Sequence, residues 1–407
     1  MKSIRARLLG RPPANIPPAD IETRLAYEMG VPKLTAFQVG TKELPHYRFV
    51  DLYRATDAYC EGRENVKTVE SEHRDESLNS ILHAKRQDWM SRRINRSSTT
   101  SWLVGPGKDV FLPVDRFWLC TSEAQGGRLI VRLRYDQGRE KAVLEVAAED
   151  FGLAERCLDR IVERSTEVSI YRNKVLLLAY ELGTKDEYGD VEKGERLRIL
   201  FKADEPVADE DIVIDENVRE ILQRNVIDLH TKREVLKAHR VPVRRGVLFY
   251  GPPGTGKTFA CRYICGKLPD TTRIMVTGTA LYQVSAIFNL ARLFQPSLLI
   301  LEDVDLVFAS REINLYSSVL GELLDQMDGL RPFEDVGFIL TTNAIDRMES
   351  AIRDRPGRIS QCIQFGAPTA TLRKRYLLHY LSGYSAPDLD MDQLVTESDG
   401  ATPAFLK

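Results

Sequence analysis

The chain has 407 residues, 43% of them hydrophobic and 29% charged, with a formal net charge of −2. That length allows two or three domains, and the composition is that of an ordinary globular protein. The small net charge gives no global field toward DNA or anionic lipid, no run approaches the roughly 18 apolar residues of a membrane span, and six cysteines are too few for a disulfide framework.

The opening MKSIRARLLGRPP has basic residues but no apolar core, so no secretory signal is read there, and a cytoplasmic location without membrane contact is expected. Residues 1–100 read as a mostly helical or irregular region, with a short helix near Ile21–Met29 and another around Glu76–Ile94. Within it, Lys85, Arg86, Arg92, Arg93 and Arg96 surround Trp89. This could be tested as a nucleic-acid patch, but it reads first as the wet face of a helix.

Residues 101–205 form an α+β module of no assigned role. Phe117–Thr121, Arg128–Tyr135 and Lys141–Ala147 read as strands, the middle one alternating Leu129, Val131, Leu133 and Tyr135. Turns are expected at Gln125–Gly127 and Asp136–Gly138. A helix follows over Phe151–Glu167 with Leu153, Cys157 and Ile161 on one face, then strands at Val168–Leu182 and Arg196–Lys202. Ala203–Asp211, with five acids and a proline, is the expected boundary. Beyond it strands and helices alternate, which predicts a parallel sheet covered by helices over 206–368 and a partial helical lid over 369–407.

The apolar strand Arg245–Tyr250 runs into GPPGTGKT, Gly251 to Thr258, and a helical Phe259–Lys267. This is the GxxxxGKS/T phosphate loop in its strand–loop–helix setting. Its glycines let backbone N–H groups approach phosphate oxygens, and the helix N-terminus adds its dipole. Lys257 is expected to reach the β- and γ-phosphates, and the Thr258 hydroxyl to ligate Mg²⁺. Leu298–Leu301 is a second buried strand, ending in Glu302, Asp303, Val304 and Asp305. Acids there can hold Mg²⁺ and orient an attacking water, or be a charged strand end. A third strand, Val336–Leu340, ends in Thr341, Thr342 and Asn343. The Asn343 amide can bridge the water and the γ-phosphate, or simply sit in a turn. Arg353, Arg355 and Arg358 follow, a solvated cluster or an arginine finger for a neighbouring subunit. Cys261 and Cys265 lie four apart with no further ligand at a suitable spacing, so they read as reduced thiols, and no HExxH zinc motif occurs.

GPPGTGKT, LLILEDVD, TTN and RPGR, in that order and spacing, resemble the AAA ATPase family over residues 211–407. The resemblance implies ATP hydrolysis in a homo-oligomeric ring, usually a hexamer, with Mg²⁺. It implies a nucleotide bound by Gly251, Pro252, Pro253, Gly254, Thr255, Gly256, Lys257, Thr258 and Phe259. By the same resemblance, Asp211, Ile212 and Val213 lie beside the adenine, Gly400 and Ala401 pack near adenine and ribose, and Arg355 and Arg358 are the finger positions.

Four departures stand out. The acid order is Glu302–Asp303, so by alignment Glu302 takes the magnesium role and the shorter Asp303 the water-polarising one; the mitochondrial Rieske-protein translocase branch has the same inversion. The aromatic pore motif is missing after Val276–Leu281, where Tyr282 is the nearest aromatic before the helix Ile287–Leu293. Ile359, Ser360 and Gln361 replace a charged triplet, and Lys407 falls inside the expected lid. The leading expectation is an ATP-driven protein-remodelling motor whose client is met by residues 1–205. The alternatives are a slow nucleotide-gated switch and, more remotely, a nucleic-acid-linked ATPase.

Overall fold

A computed structural model describes residues 18, 20–71, 73, 76–83, 94, 97–121, 127–181, 184–185, 191–193, 196–242, 246–308, 313–331, 334–346, 359–382, 384 and 389–407. The chain divides after Ile170 into two compact units. This moves the expected boundary from the acidic stretch at 203–211 back to a turn at 170–174, and the physical reason lies in the strands described below.

In the first unit, β1 (Gln38–Pro45), β2 (Val66–Glu70), β5 (Asp115–Cys120), β6 (Leu129–Asp136) and β7 (Lys141–Ala148) form one antiparallel sheet in the order β1-β7-β6-β5-β2. Because β1 and β2 belong to it, residues 1–100 are not a separate region. β3 (Thr99–Gly105) and β4 (Lys108–Pro113) make a separate hairpin. Helices cover the five-stranded sheet on both faces. Leu129, Val131 and Leu133 of β6 pack with residues of helices Phe49–Glu61 and Phe151–Glu167. Ile130 of the same strand packs with residues of helices Ile21–Met29 and Leu78–His83. The alternation expected in β6 is therefore blurred, since a sheet buried on both faces has no polar side. Helix Ile21–Met29 forms where expected: Asp20 accepts the Thr23 N–H at 3.0 Å, and Gly30, at φ 68, closes the end.

Charged groups are buried in this unit as well, Asp115, Arg132 and Glu145 among them. Arg132 is fully buried; it donates to Asp115 at 2.9 and 2.7 Å and to Glu145 at 3.1 Å. Its remaining N–H groups reach the carbonyls of Glu76 at 2.7 Å and His73 at 2.8 Å. A buried guanidinium is tolerated because its donors are matched and two carboxylates oppose its charge.

The second unit holds a seven-stranded sheet in the order β11-β8-β13-β14-β15-β12-β16. The strands are β8 (Val175–Glu181), β11 (Arg196–Phe201), β12 (Gly246–Tyr250), β13 (Thr272–Val276), β14 (Ser297–Leu301), β15 (Val336–Thr342) and β16 (Gln361–Gln364). The short β9 (Thr184–Lys185) and β10 (Val191–Lys193) pair with each other between β8 and β11. All strands of the large sheet are parallel except β11, which returns antiparallel on β8 at the edge. Strands β8 and β11 were expected in the preceding module. They join this sheet because Leu176 and Leu178 pair in register with Ile274 and Val276 of β13. Helix Lys257–Lys267 and the segment 222–227 cover one face through Ala260, Ile264, Leu222 and Val226.

His230, buried beside Gly337 of β15, is held neutral by burial, which pushes its pKa down to about 4. A Cβ on Gly337 would lie 2.4 Å from its Nε2, so the glycine makes room for the ring. Among the described residues no helix is long and apolar enough to cross a membrane. The six cysteines are free thiols, five of them buried. The basic cluster around Trp89, apart from its sequence, lies outside the described residues.

Candidate functional site

The glycine-rich segment leaves the end of β12 and enters helix Lys257–Lys267, and its shape follows from three glycines at positive φ. These are Gly251 (146°), Gly254 (77°) and Gly256 (98°). At Gly251 the reason is also steric, since a Cβ there would sit 2.0 Å from the Phe365 carbonyl oxygen. Gly256 is the N-cap, and a Cβ on it would meet only open space. Thr255 is buried and closes the turn by donating to the Pro252 carbonyl at 2.8 Å.

Lys257 starts the helix, and its ammonium turns back under the loop. Nζ donates to the carbonyls of Gly251 at 2.7 Å and Pro252 at 2.9 Å, and to Asn343 Oδ1 at 2.8 Å. Burial pushes this ammonium below the ordinary lysine range, while the Asp303 and Asp305 carboxylates oppose that shift.

The ends of β14 and β15 bring the acids and the amide to the same place. Asn343 Nδ2 donates to Asp303 Oδ1 at 3.2 Å, so Lys257, Asn343 and Asp303 form one chain. Asp303 has φ 49, in the left-handed region, and its N–H donates to Thr341 Oγ1 at 2.9 Å. The Asn343 N–H donates to Asp305 Oδ1 at 2.9 Å. Glu302 is buried beside them, and its Oε1 has no hydrogen-bond partner among the described residues. A buried, unpaired carboxylate oxygen is costly unless a cation or its water completes it.

Lys257, Asp303 and Asn343 border a cleft of about 600 Å³. Pro253, Gly254, Gly256, Lys257, Thr258, Phe259, Asp303 and Asn343 line its floor, and Asp211 and Val213 line one side. Ile212, expected beside them, points away and is 1% exposed in the core with Leu222 and Phe249. Asp211 ends a turn, and of the residues that follow it Ile212 faces the core while Val213 faces the cleft. The opposite wall comes from the C-terminal helices. Tyr376, His379 and Tyr380 share one face of helix Ala370–Tyr380, and Pro403, Ala404 and Lys407 complete it. Gly400 and Ala401 do not line the cleft; the chain reaches it at Pro403 and Ala404. There the Ala404 N–H donates to the Gly254 carbonyl at 3.2 Å.

Tyr376, His379 and Tyr380 were not singled out from sequence. Their i, i+3, i+4 spacing marks a shared face but does not say what faces it. Tyr282 ends a 3₁₀ turn over Gly278–Tyr282 and is 41% exposed, ahead of helix Val284–Leu293. Arg353, Arg355 and Arg358 lie outside the described residues.

Residues 247–367 match the family described as ATPase family associated with various cellular activities (AAA). The chain is 32% identical over 212 residues to the 26S proteasome regulatory subunit 8 homolog of Schizosaccharomyces pombe, covering 48% of this chain and 52% of that protein. It is 31% identical over 214 residues to the proteasome-activating nucleotidase of Aeropyrum pernix, covering 48% and 51%. With the ATP-dependent zinc metalloprotease FtsH 2 of a Thermoanaerobacter species it shares 30% identity over 224 residues, covering 52% and 42%. The chain thus spans about half the length of the curated relatives it matches.

Proposed function

Residues 247–367 are an AAA ATPase domain, and on that premise we propose that the chain binds ATP in the cleft and hydrolyses it, as a subunit of a homo-oligomeric, hexameric ring that remodels a client protein. The observation that carries this reading is the convergence of Lys257, Asn343 and Asp303 beneath the glycine-rich loop. In this reading Lys257 neutralises the β- and γ-phosphates, Asp303 orients and deprotonates the attacking water, and Asn343 reports the γ-phosphate. Thr258 and Glu302 are the residues that fit Mg²⁺, Glu302 by its unpartnered Oε1, with Asp303 adjoining. When bound, that ion supplies positive charge against the phosphate oxygens. Asp211, Val213 and the face of Tyr376 and His379 are suited to the base. Arg355 and Arg358 complete the site of the neighbouring subunit.

The remodelling part is supported by similarity to proteins named as a proteasome regulatory subunit and a proteasome-activating nucleotidase. The first unit meets the client, and the location is cytoplasmic.

The test is steady-state ATP hydrolysis with Mg²⁺ across a range of protein concentrations. A rate per subunit that rises and then saturates is expected, because sites are completed in trans. Bound ATP with no turnover at any concentration would replace the motor by a nucleotide-gated switch. Stimulation by DNA or RNA that fades with salt would redirect it to nucleic acid.

A further inference from the structure

The pair that must act on water, Asp303 and Asn343, sits at the ends of two adjacent parallel strands. Each main-chain N–H is tied to the other strand or to the turn that follows it. The Asp303 N–H donates to Thr341 Oγ1 at 2.9 Å, and the Asn343 N–H donates to Asp305 Oδ1 at 2.9 Å. The ties cross: β15 supplies the acceptor for the residue after β14, and the loop after β14 supplies the acceptor for the residue after β15.

The first tie has a specific consequence. Asp303 is at φ 49, a conformation that costs a non-glycine residue free energy and persists only when its surroundings fix it. The Thr341 hydroxyl supplies one such fixation, from a side chain that is itself 1% exposed. Held this way, Asp303 places its carboxylate 3.2 Å from the Asn343 amide. Loss of the Thr341 hydroxyl removes the acceptor and frees that backbone.

We propose that Thr341 and Asp305 are positioning residues for hydrolysis, fixing the separation of the Asp303 carboxylate from the Asn343 amide. Neither touches the cleft; both act through the backbone of the residue that does. The inference rests on the proposed ATPase reading and names what orients its acid. Misplacement of a catalytic group by about 1 Å costs on the order of 100-fold in rate, without loss of binding.

The experiment compares the full chain with Thr341→Val, which keeps the shape, Thr341→Ser, which keeps the hydroxyl, and Thr341→Ala. Turnover with ATP and Mg²⁺, the KM for ATP and the thermal midpoint are measured for each. Thr341→Val is expected to lower kcat about 10- to 100-fold with KM within about twofold of the wild type. Thr341→Ser is expected to recover most of that loss. If Thr341→Val melts below the assay temperature, Thr341→Ala decides by the same criteria. A folded hydroxyl-free variant turning over like the wild type overturns the inference while leaving the ATPase reading intact. A raised KM at constant kcat, or failure of Thr341→Ser to recover the rate, also overturns it. A wild-type chain that binds ATP and never hydrolyses it removes the ATPase reading, and this inference falls with it.

Discussion

Lys257 Nζ lies 2.8 Å from Asn343 Oδ1, so the first residue of the loop helix and the residue after β15 are directly bonded. The same ammonium also satisfies two loop carbonyls. Removing it takes away the cation beneath the loop and leaves those acceptors without their donor. Lys257→Ala is expected to cut ATP turnover at least about 100-fold in a steady-state assay. Unchanged turnover would sink the assignment of this cleft as the hydrolytic site.

Two glycines of the loop should respond differently to the same added methyl. At Gly251 the methyl would collide with the Phe365 carbonyl at 2.0 Å, on a backbone at φ 146. At Gly256 it meets open space, and only the backbone conformation is strained. Gly251→Ala is expected to lower stability by about 3 kcal/mol and the melting midpoint by several degrees, Gly256→Ala by about 1 kcal/mol. Equal melting curves for the two variants would contradict the steric account.

His230 makes stability depend on mildly acidic pH. Its folded pKa, about 4, lies below the ordinary histidine value of 6.5, chiefly through burial. Below 6.5 the unfolded chain therefore binds a proton that the folded chain refuses, and stability is lost as pH falls from 6.5 toward 4. At pH 5 this amounts to about 2 kcal/mol. Chemical denaturation at pH 7 and pH 5 should show the loss, and His230→Gln should reduce the difference between the two. A pH dependence unaltered by that substitution would mean another group is responsible.

In the first unit, Arg132→Met leaves Asp115 and Glu145 buried without their common cation. Breaking a buried ion group from one side typically costs about 3–5 kcal/mol. Circular dichroism melting should show the drop. Neutralising both acids together with the arginine, in Arg132→Met with Asp115→Asn and Glu145→Gln, should recover part of it. A triple variant less stable than the single one would show that packing around the guanidinium matters more than its charge.

The legibility of the site in sequence followed the range of the interactions that build it. Lys257, Asp303 and Asn343 could be placed because a loop and two strand ends carry them within short motifs, and a parallel sheet aligns such ends by its own topology. The wall of Tyr376, His379 and Tyr380 could not, because helical spacing shows which residues share a face but not what that face meets. Ile212 was expected with Asp211 and Val213, yet its side chain lies in the core, because neighbouring residues of a segment can face opposite ways and the core decides which. The strands β8 and β11 were placed in the wrong unit for a similar reason. An apolar run such as Val175–Leu178 fits any buried sheet, and only pairing with β13 reveals which one.

The bond from the Ala404 N–H to the Gly254 carbonyl joins the C-terminal helical segment to the loop itself. A Cβ on Gly254 would already lie 3.0 Å from the Ala404 Cβ, so little slack separates the two. Two segments in such contact cannot have independent equilibria. If filling the loop shifts the segment by some free energy, then displacing or clamping the segment must shift the affinity of the loop by the same amount, in the reciprocal sense. Residues 402–406 are in this respect a handle on the cleft: what displaces or clamps them retunes the site.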